Sequence, residues 1–342
     1  MKKAYLVPAA VLIVIAGTFS WQFFSKNKFA SPTSIQPFFS PTPKPLLKYT
    51  IENLGKTKIE SSQIKIGDEI KDDPAFMSRY FFFNVDGKKI SGLINLPKTP
   101  GSHPVIVMLR GYVDREIYTS GIGTQRAGEV FAQNGFITLA PDFLGYGKSD
   151  QEAGNSIESR FQTYTTALTL LNSIPNLDYA LSTMHLPLQS DASRVGIWGH
   201  SNGGQIALTV LETTGKPYPI VLWAPVSKPF PYSILYYTDT YDDHGKALRK
   251  VIADFEKDYD IEKYSLTNYF GKITAPIQLH QGTSDTEVPQ LWSEALVENL
   301  KKLDKNVDYF VYPGADHNLL GGWQQAVDRS VAFYKENLKV EP

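Results

Sequence analysis

Ser201 sits in the run Gly199-His200-Ser201-Asn202-Gly203-Gly204, which fits the pattern G-x-S-x-G. A serine hydroxyl attacks a carbonyl carbon only when a base takes its proton, and that base needs an acid to orient it. Two later stretches offer such partners. Gln281-Gly282-Thr283-Ser284-Asp285 contains the acid, and Tyr312-Pro313-Gly314-Ala315-Asp316-His317 contains the base. Nucleophile, acid and base thus follow one another as Ser201, Asp285 and His317. The chemistry such a set performs is acyl transfer, in which an ester or amide bond is exchanged for an acyl-serine that water then opens.

Other residues compete for these roles. Glu287 is a rival acid two positions beyond Asp285, whereas Asp316 is too near His317 in sequence to face its ring. His185, His244 and His280 fall away from the end of the last strand, and His200 flanks the serine. A tetrahedral intermediate also requires two preorganised donors. The backbone N–H of Asn202, directly after the nucleophile, is one candidate. The other is the N–H of Tyr112 in Arg110-Gly111-Tyr112-Val113. Gly-Ser runs are also ordinary turn chemistry, so the surrounding elements have to carry the argument.

Those elements alternate. The run 195–198 is a short buried strand, and Ile206, Ala207, Val210 and Leu211 recur at helical spacing, so the serine stands on a strand-to-helix bend. Upstream, 80–85 and 88–96 flank Asp86-Gly87 as a hairpin. Continuous apolar runs at 104–109, 136–140, 219–223, 277–280 and 307–312 read as strands covered on both faces. Helical patterns at 125–134, 160–171, 290–303 and 323–338 separate or follow them. The expected fold is therefore α/β, a mostly parallel sheet with helices on both faces. Asp285 and His317 both fall just past strand ends, where ligands bind in such sheets.

One stretch departs from the alternation. After the sixth expected strand, 228–275 takes a helical excursion that carries ten aromatic residues, Tyr236 and Tyr237 among them. As a lid-like insertion leaving the active edge of the sheet, it is a candidate substrate wall with Tyr236 and Tyr237 facing the cleft. Ordinary core packing is the competing reading.

Composition excludes several classes. The 342 residues carry a net charge of −1, which offers nothing to a polyanion such as nucleic acid. There is no cysteine, and the six histidines form no ligand cluster, so neither thiolate chemistry, a metal nor another cofactor is expected. Lys2 and Lys3 precede an apolar run from Ala4, so 1–25 reads as a signal peptide or a retained membrane anchor, and the remainder as exported. The segment 26–58 holds five prolines among serines and threonines and reads as an extended spacer. A single catalytic domain is then expected over 59–342, with its oligomeric state left open.

From about residue 80 to 338 the chain resembles the α/β-hydrolases, specifically the catalytic domain of prolyl-oligopeptidase-type serine peptidases and their esterase relatives. The residues that carry this are Gly199–Gly204, Gly282-Thr283-Ser284-Asp285 with Val288-Pro289, and Gly314-Ala315-Asp316-His317. Pro141-Asp142 with Gly145-Tyr146-Gly147 is also similar to a loop of that family. The resemblance implies serine-dependent acyl transfer to water. Two features depart from it. The stretch ahead of this region is too short for the β-propeller of the large prolyl oligopeptidases. Arg110-Gly111 also stands where many relatives have His-Gly. The expected activity is an exported serine hydrolase acting on peptide or ester bonds. The alternatives are a carboxylesterase for small acyl esters and a non-catalytic surface binding protein.

Overall fold

The computed structural model describes residues 43–340. Nine strands form one sheet in the order β1-β2-β3-β5-β4-β6-β7-β8-β9. They are β1 Lys65–Asp72, β2 Phe76–Val85, β3 Lys88–Pro97, β4 Gly101–Leu109, β5 Ile137–Pro141, β6 Leu188–His200, β7 Ile220–Trp223, β8 Ile277–Gly282 and β9 Val307–Tyr312. β1, β2 and β3 pair antiparallel and β3 meets β5 antiparallel, while every pairing from β5 through β9 is parallel. The hairpin and all the expected apolar strands are present. β1 was not foreseen, because KIGDEIKD is a largely exposed, charged edge strand with no apolar face to read. The insertion consequently leaves from β7.

Nine α-helices accompany the sheet among the described residues: α1 Ile51–Lys56, α2 Gln125–Gln133, α3 Ser156–Ser173, α4 Leu177–Thr183, α5 Asn202–Thr214, α6 Tyr232–Leu235, α7 Lys246–Glu256, α8 Gln290–Lys302 and α9 Trp323–Asn337. Successive strand side chains point to opposite faces, and two apolar clusters record this. Val105, Val107, Ile220 and Leu222 join Phe161 of α3, Leu208 of α5 and Leu300 of α8. Ile106, Met108, Val221 and Trp223 join Phe131 of α2 and Val327 and Tyr334 of α9. Covering both faces is what allows these strands to be wholly apolar.

The fold starts earlier than the composition suggests. Pro45–Tyr49 forms a 3-10 turn, and α1 follows with Thr50 accepting a capping hydrogen bond from the Asn53 N–H. Leu46, Tyr49, Ile51 and Leu54 are buried. The Leu46 carbonyl accepts from the Tyr264 hydroxyl, and its N–H donates to the Tyr259 hydroxyl, both from the insertion. The spacer reading of 26–58 therefore fails over 45–56, and the body does not begin near residue 59. Proline at the first position of a turn is compatible with helix entry, so proline content alone misread this segment. The proposed signal or anchor, 1–25, lies outside the described residues. No helix among the described residues is long and apolar enough to cross a membrane.

Much of the insertion packs into the core. Phe230, Phe255, Tyr264 and Phe270 are buried in the main core, where Phe161 of α3 stacks on Tyr264 at 5.0 Å. Tyr236 and Tyr237 belong instead to a small cluster with Val226, Val288 and Trp292.

Candidate active site

The order β5-β4-β6 makes the chain change direction across the sheet at β4. Loops leaving β4 and β6 then part to opposite faces and leave a crevice between them. Leu109 pairs with Gly199, so Arg110-Gly111 and the His200-Ser201 bend emerge side by side. The approach is close: a Cβ on Gly111 would lie 2.8 Å from Ser201 Cβ and 3.4 Å from its Oγ.

Ser201 has φ 55° and ψ −123°, a conformation costly for a residue with a Cβ. It is held there by its own backbone. The N–H donates to the Trp223 carbonyl at 2.9 Å, and its carbonyl accepts from Gly204 and Val226. A side chain at Gly203 would strike the Leu109 carbonyl oxygen, so the bend needs glycine at that position. Asn202 opens α5, and its backbone N–H is one of the helix's free N-terminal donors. The Tyr112 side chain is exposed, its hydroxyl donating to Asp114 Oδ1 at 2.8 Å, while its backbone follows Gly111 beside the serine.

Asp285 and His317 come together. His317 Nδ1–H donates to Asp285 Oδ2 at 2.9 Å, and the side chains are 7% and 0% exposed respectively. Burial alone would raise the Asp285 pKa. The His317 hydrogen bond and charge, with the backbone N–H groups of Val288 and Glu287, reverse this and hold it below the usual carboxylate range. Gln281 Nε2 donates to Oδ2 as well, at 3.0 Å. With Nδ1 committed as donor, the neutral ring presents Nε2 as an acceptor. Glu287, the rival acid, lies on the other side of the ring: its Oε2 is 3.6 Å from Nε2, and its side chain is 64% exposed.

His200 turns away from the crevice to support it. Its Nε2 is 2.9 Å from the His317 carbonyl oxygen, and the two rings are 4.6 Å apart. Burial, then the proximity of His317, lowers its pKa to about 4. No spacing rule marks this contact, which joins residues 117 positions apart. Gln281 and Arg160 were likewise not legible. Gln281 braces Asp285, and Arg160 Nη2 donates to Asn202 Oδ1 at 3.1 Å and Gln205 Oε1 at 2.9 Å.

Tyr236 and Tyr237 pack edge-on to Trp292, with centroids at 4.8 and 6.3 Å, beside Val288 of the acid loop. The Tyr237 hydroxyl is enclosed without a partner. A separate cavity of about 240 Å³ is lined in part by Tyr112, Arg160, Asn202 and Gly111, the last of which lies against Ser201, though Ser201 itself is not in the lining. Among the described residues no cluster of His, Asp and Glu could hold a metal ion.

A mostly parallel sheet with a serine on a strand-to-helix bend and an Asp–His pair past later strands defines a serine hydrolase of the α/β-hydrolase superfamily. Residues 126–341 match the prolyl oligopeptidase family, and the chain belongs to that family. It is 30% identical over 241 residues to the uncharacterized peptidase YtmA of Bacillus subtilis (strain 168), covering 68% of this chain and 82% of that one. Acetyl xylan esterase 1 from Thermoanaerobacterium sp. JW/SL YS485 shares the fold at TM-score 0.56 and 20% identity, over 86% of this chain and 94% of the other. The acylaminoacyl peptidase of Pyrococcus horikoshii does so at TM-score 0.58 and 19% identity, over 78% of this chain but only 42% of the other.

Proposed function

We propose that the protein is an exported serine hydrolase that cleaves peptide or ester bonds through an acyl-enzyme on Ser201. The observation that carries this reading is the enclosed 2.9 Å Asp285–His317 pair, whose loop is tied to the serine elbow through His200 Nε2 and the His317 carbonyl. Ser201 Oγ attacks the substrate carbonyl carbon while its proton passes to His317 Nε2. Asp285 keeps the ring in the Nδ1–H form and stabilises the charge the ring acquires. The carbonyl oxygen, now an oxyanion, takes hydrogen bonds from the backbone N–H groups of Asn202 and Tyr112. Collapse breaks the bond to the leaving group, which receives the proton from Nε2. Water then repeats the sequence on the acyl-serine and releases the acid.

Membership of the prolyl oligopeptidase family, and a relative named as a peptidase, support peptide bonds as substrates. Esters open through the same intermediate, which makes a carboxylesterase the second reading. Parallel assays on p-nitrophenyl acetate and on Ala- and Xaa-Pro-p-nitroanilides separate the two, the peptidase reading requiring the anilides to be cleaved. A fluorophosphonate should label the wild type and fail to label Ser201→Ala, whose turnover should fall by several orders of magnitude. Undiminished labelling of that variant would overturn the assignment. Export rests on Lys2, Lys3 and the apolar run after them. Digestion of the full chain by protease added to intact cells tests it, and protection until lysis would count against it.

A further inference from the structure

The cavity beside the elbow carries a charge that the acyl-transfer chemistry does not use. Gly111 and Asn202, on either side of Ser201, form one wall, and Arg160 of α3 forms another. Arg160 spends Nη2 on two neutral amide oxygens, and its Nε is enclosed with no hydrogen-bond partner. No carboxylate among the described residues pairs with it or perturbs it. Its ionisable neighbours are the phenols of Tyr164 and Tyr237, which burial raises above their usual range and keeps neutral.

The other charges in the lining are partly matched: Arg110 Nε and Glu152 Oε2 also lack hydrogen-bond partners. Arg115 Nη2 pairs with Glu152 Oε1 at 2.6 Å. Arg110 donates to the carbonyls of Gly111 and Asp142 and lies 4.0 Å from the centre of the Tyr146 ring. Three guanidinium groups and one carboxylate thus face the cavity, which leaves it cationic. Arg160 is half-buried with its Nε sealed from solvent; a guanidinium keeps its proton there, and holding one without a counter-ion is unfavourable. Its planar fork matches a carboxylate in two-point contact. An uncompensated guanidinium at a nucleophile is therefore suited to a ligand that brings the missing charge.

The side of the scissile bond follows from the lining. A leaving group must lie near His317 to receive its proton; the cavity reaches the serine only through its neighbours Gly111 and Asn202, and no residue of the His317 loop borders it. Its walls belong to the elements that would supply the oxyanion donors, which places it against the acyl part. We propose that Arg160 is a specificity residue that receives a carboxylate on the acyl portion of the substrate, so that the cavity selects acyl groups ending in a carboxylate over neutral ones of equal size.

This rests on the serine-hydrolase reading of Ser201, and the experiment keeps the two apart. kcat/KM is measured on two matched pairs. One is the p-nitrophenyl monoester of glutaric acid against that of glutaramic acid. The other is N-acetyl-Glu-p-nitroanilide against N-acetyl-Gln-p-nitroanilide. The wild type should favour the charged member by roughly 10- to 100-fold, the range for a hydrogen bond to a charged group. Preference in both pairs supports a general carboxylate pocket, and preference in the anilides alone supports an acidic residue of a peptide. Arg160→Gln should bring the ratio close to one, and Arg160→Lys should restore part of it; the ratio is read whatever the absolute rate. Equal rates within both wild-type pairs would overturn the inference even if fluorophosphonate labelling of Ser201 is normal. Loss of that labelling would instead count against the hydrolase reading.

Discussion

His200 and His317 stand 4.6 Å apart ring to ring, with His200 Nε2 at 2.9 Å from the His317 carbonyl oxygen. The residue before the proposed nucleophile thereby anchors the loop that carries the proposed base. Because burial lowers the His200 pKa to about 4, its ring is neutral at ordinary pH, and Nε2–H donates to that carbonyl. A neutral ring does not oppose the positive charge that His317 acquires during the reaction. A charged one at this distance would.

Two buried imidazoles predict acid lability. His200 titrates at about 4 and His280, buried and near Arg329, at about 3, both below the 6.5 expected once the chain unfolds. Between these limits the unfolded chain binds more protons, so stability should fall as pH drops below about 6.5. His200 alone accounts for a loss on the order of 3 kcal/mol by the time it is protonated. Tm measured from pH 7 to 4 should decline. In His280→Gln the decline should be shallower, and an unchanged slope would show that His280 plays no part in it.

Asp285→Asn should lower kcat by on the order of 10⁴, since an amide favours the wrong tautomer of His317. Glu287→Gln should be mild, because Glu287 is exposed and sits at the Nε2 side, 3.6 Å away. Steady-state kinetics on one activated ester compares the two. A crippled Glu287→Gln beside a healthy Asp285→Asn would reverse the roles.

Glu212, near the end of α5, is buried with neither carboxylate oxygen hydrogen-bonded, and burial holds its pKa well above 4.5. The folded state therefore keeps a proton that the unfolded chain releases. Stability should fall as pH rises above about 4.5, opposite in sign to the histidine effect. Glu212→Gln removes the titration and should raise Tm at pH 8 more than at pH 5. Equal shifts at both pH values would rule this out.

Tyr236 and Tyr237 are proposed as a substrate wall on the acid-loop side, against Trp292 and Val288. Tyr237→Ala should change kcat/KM unequally for long and short acyl substrates while leaving the fluorophosphonate rate nearly constant. Equal losses on all substrates with a lower Tm would make the pair merely structural.

Local sequence determined much of this protein. The runs PVIVML and IVLW read as strands sealed on both faces, and the glycines around Ser201 admit a bend that few other residues tolerate. Asp285 and His317 were legible because each falls just past such a strand, and parallel strands bring their ends to one edge. Tertiary structure alone decided the rest. Which of two carboxylates only two residues apart meets Nδ1 of His317, Asp285 and not Glu287, is a matter of side-chain placement. Leu46, Tyr49 and Leu54 became core only through partners distant in sequence, Phe161 of α3 against Tyr49 and the insertion's Tyr264 on the Leu46 carbonyl among them. Arg160 lies in no motif, and the elbow motif around His200 does not foretell the contacts that residue makes. Their surroundings come from chain segments distant in sequence, and burial, charge balance and pKa are properties of those surroundings rather than of any local pattern.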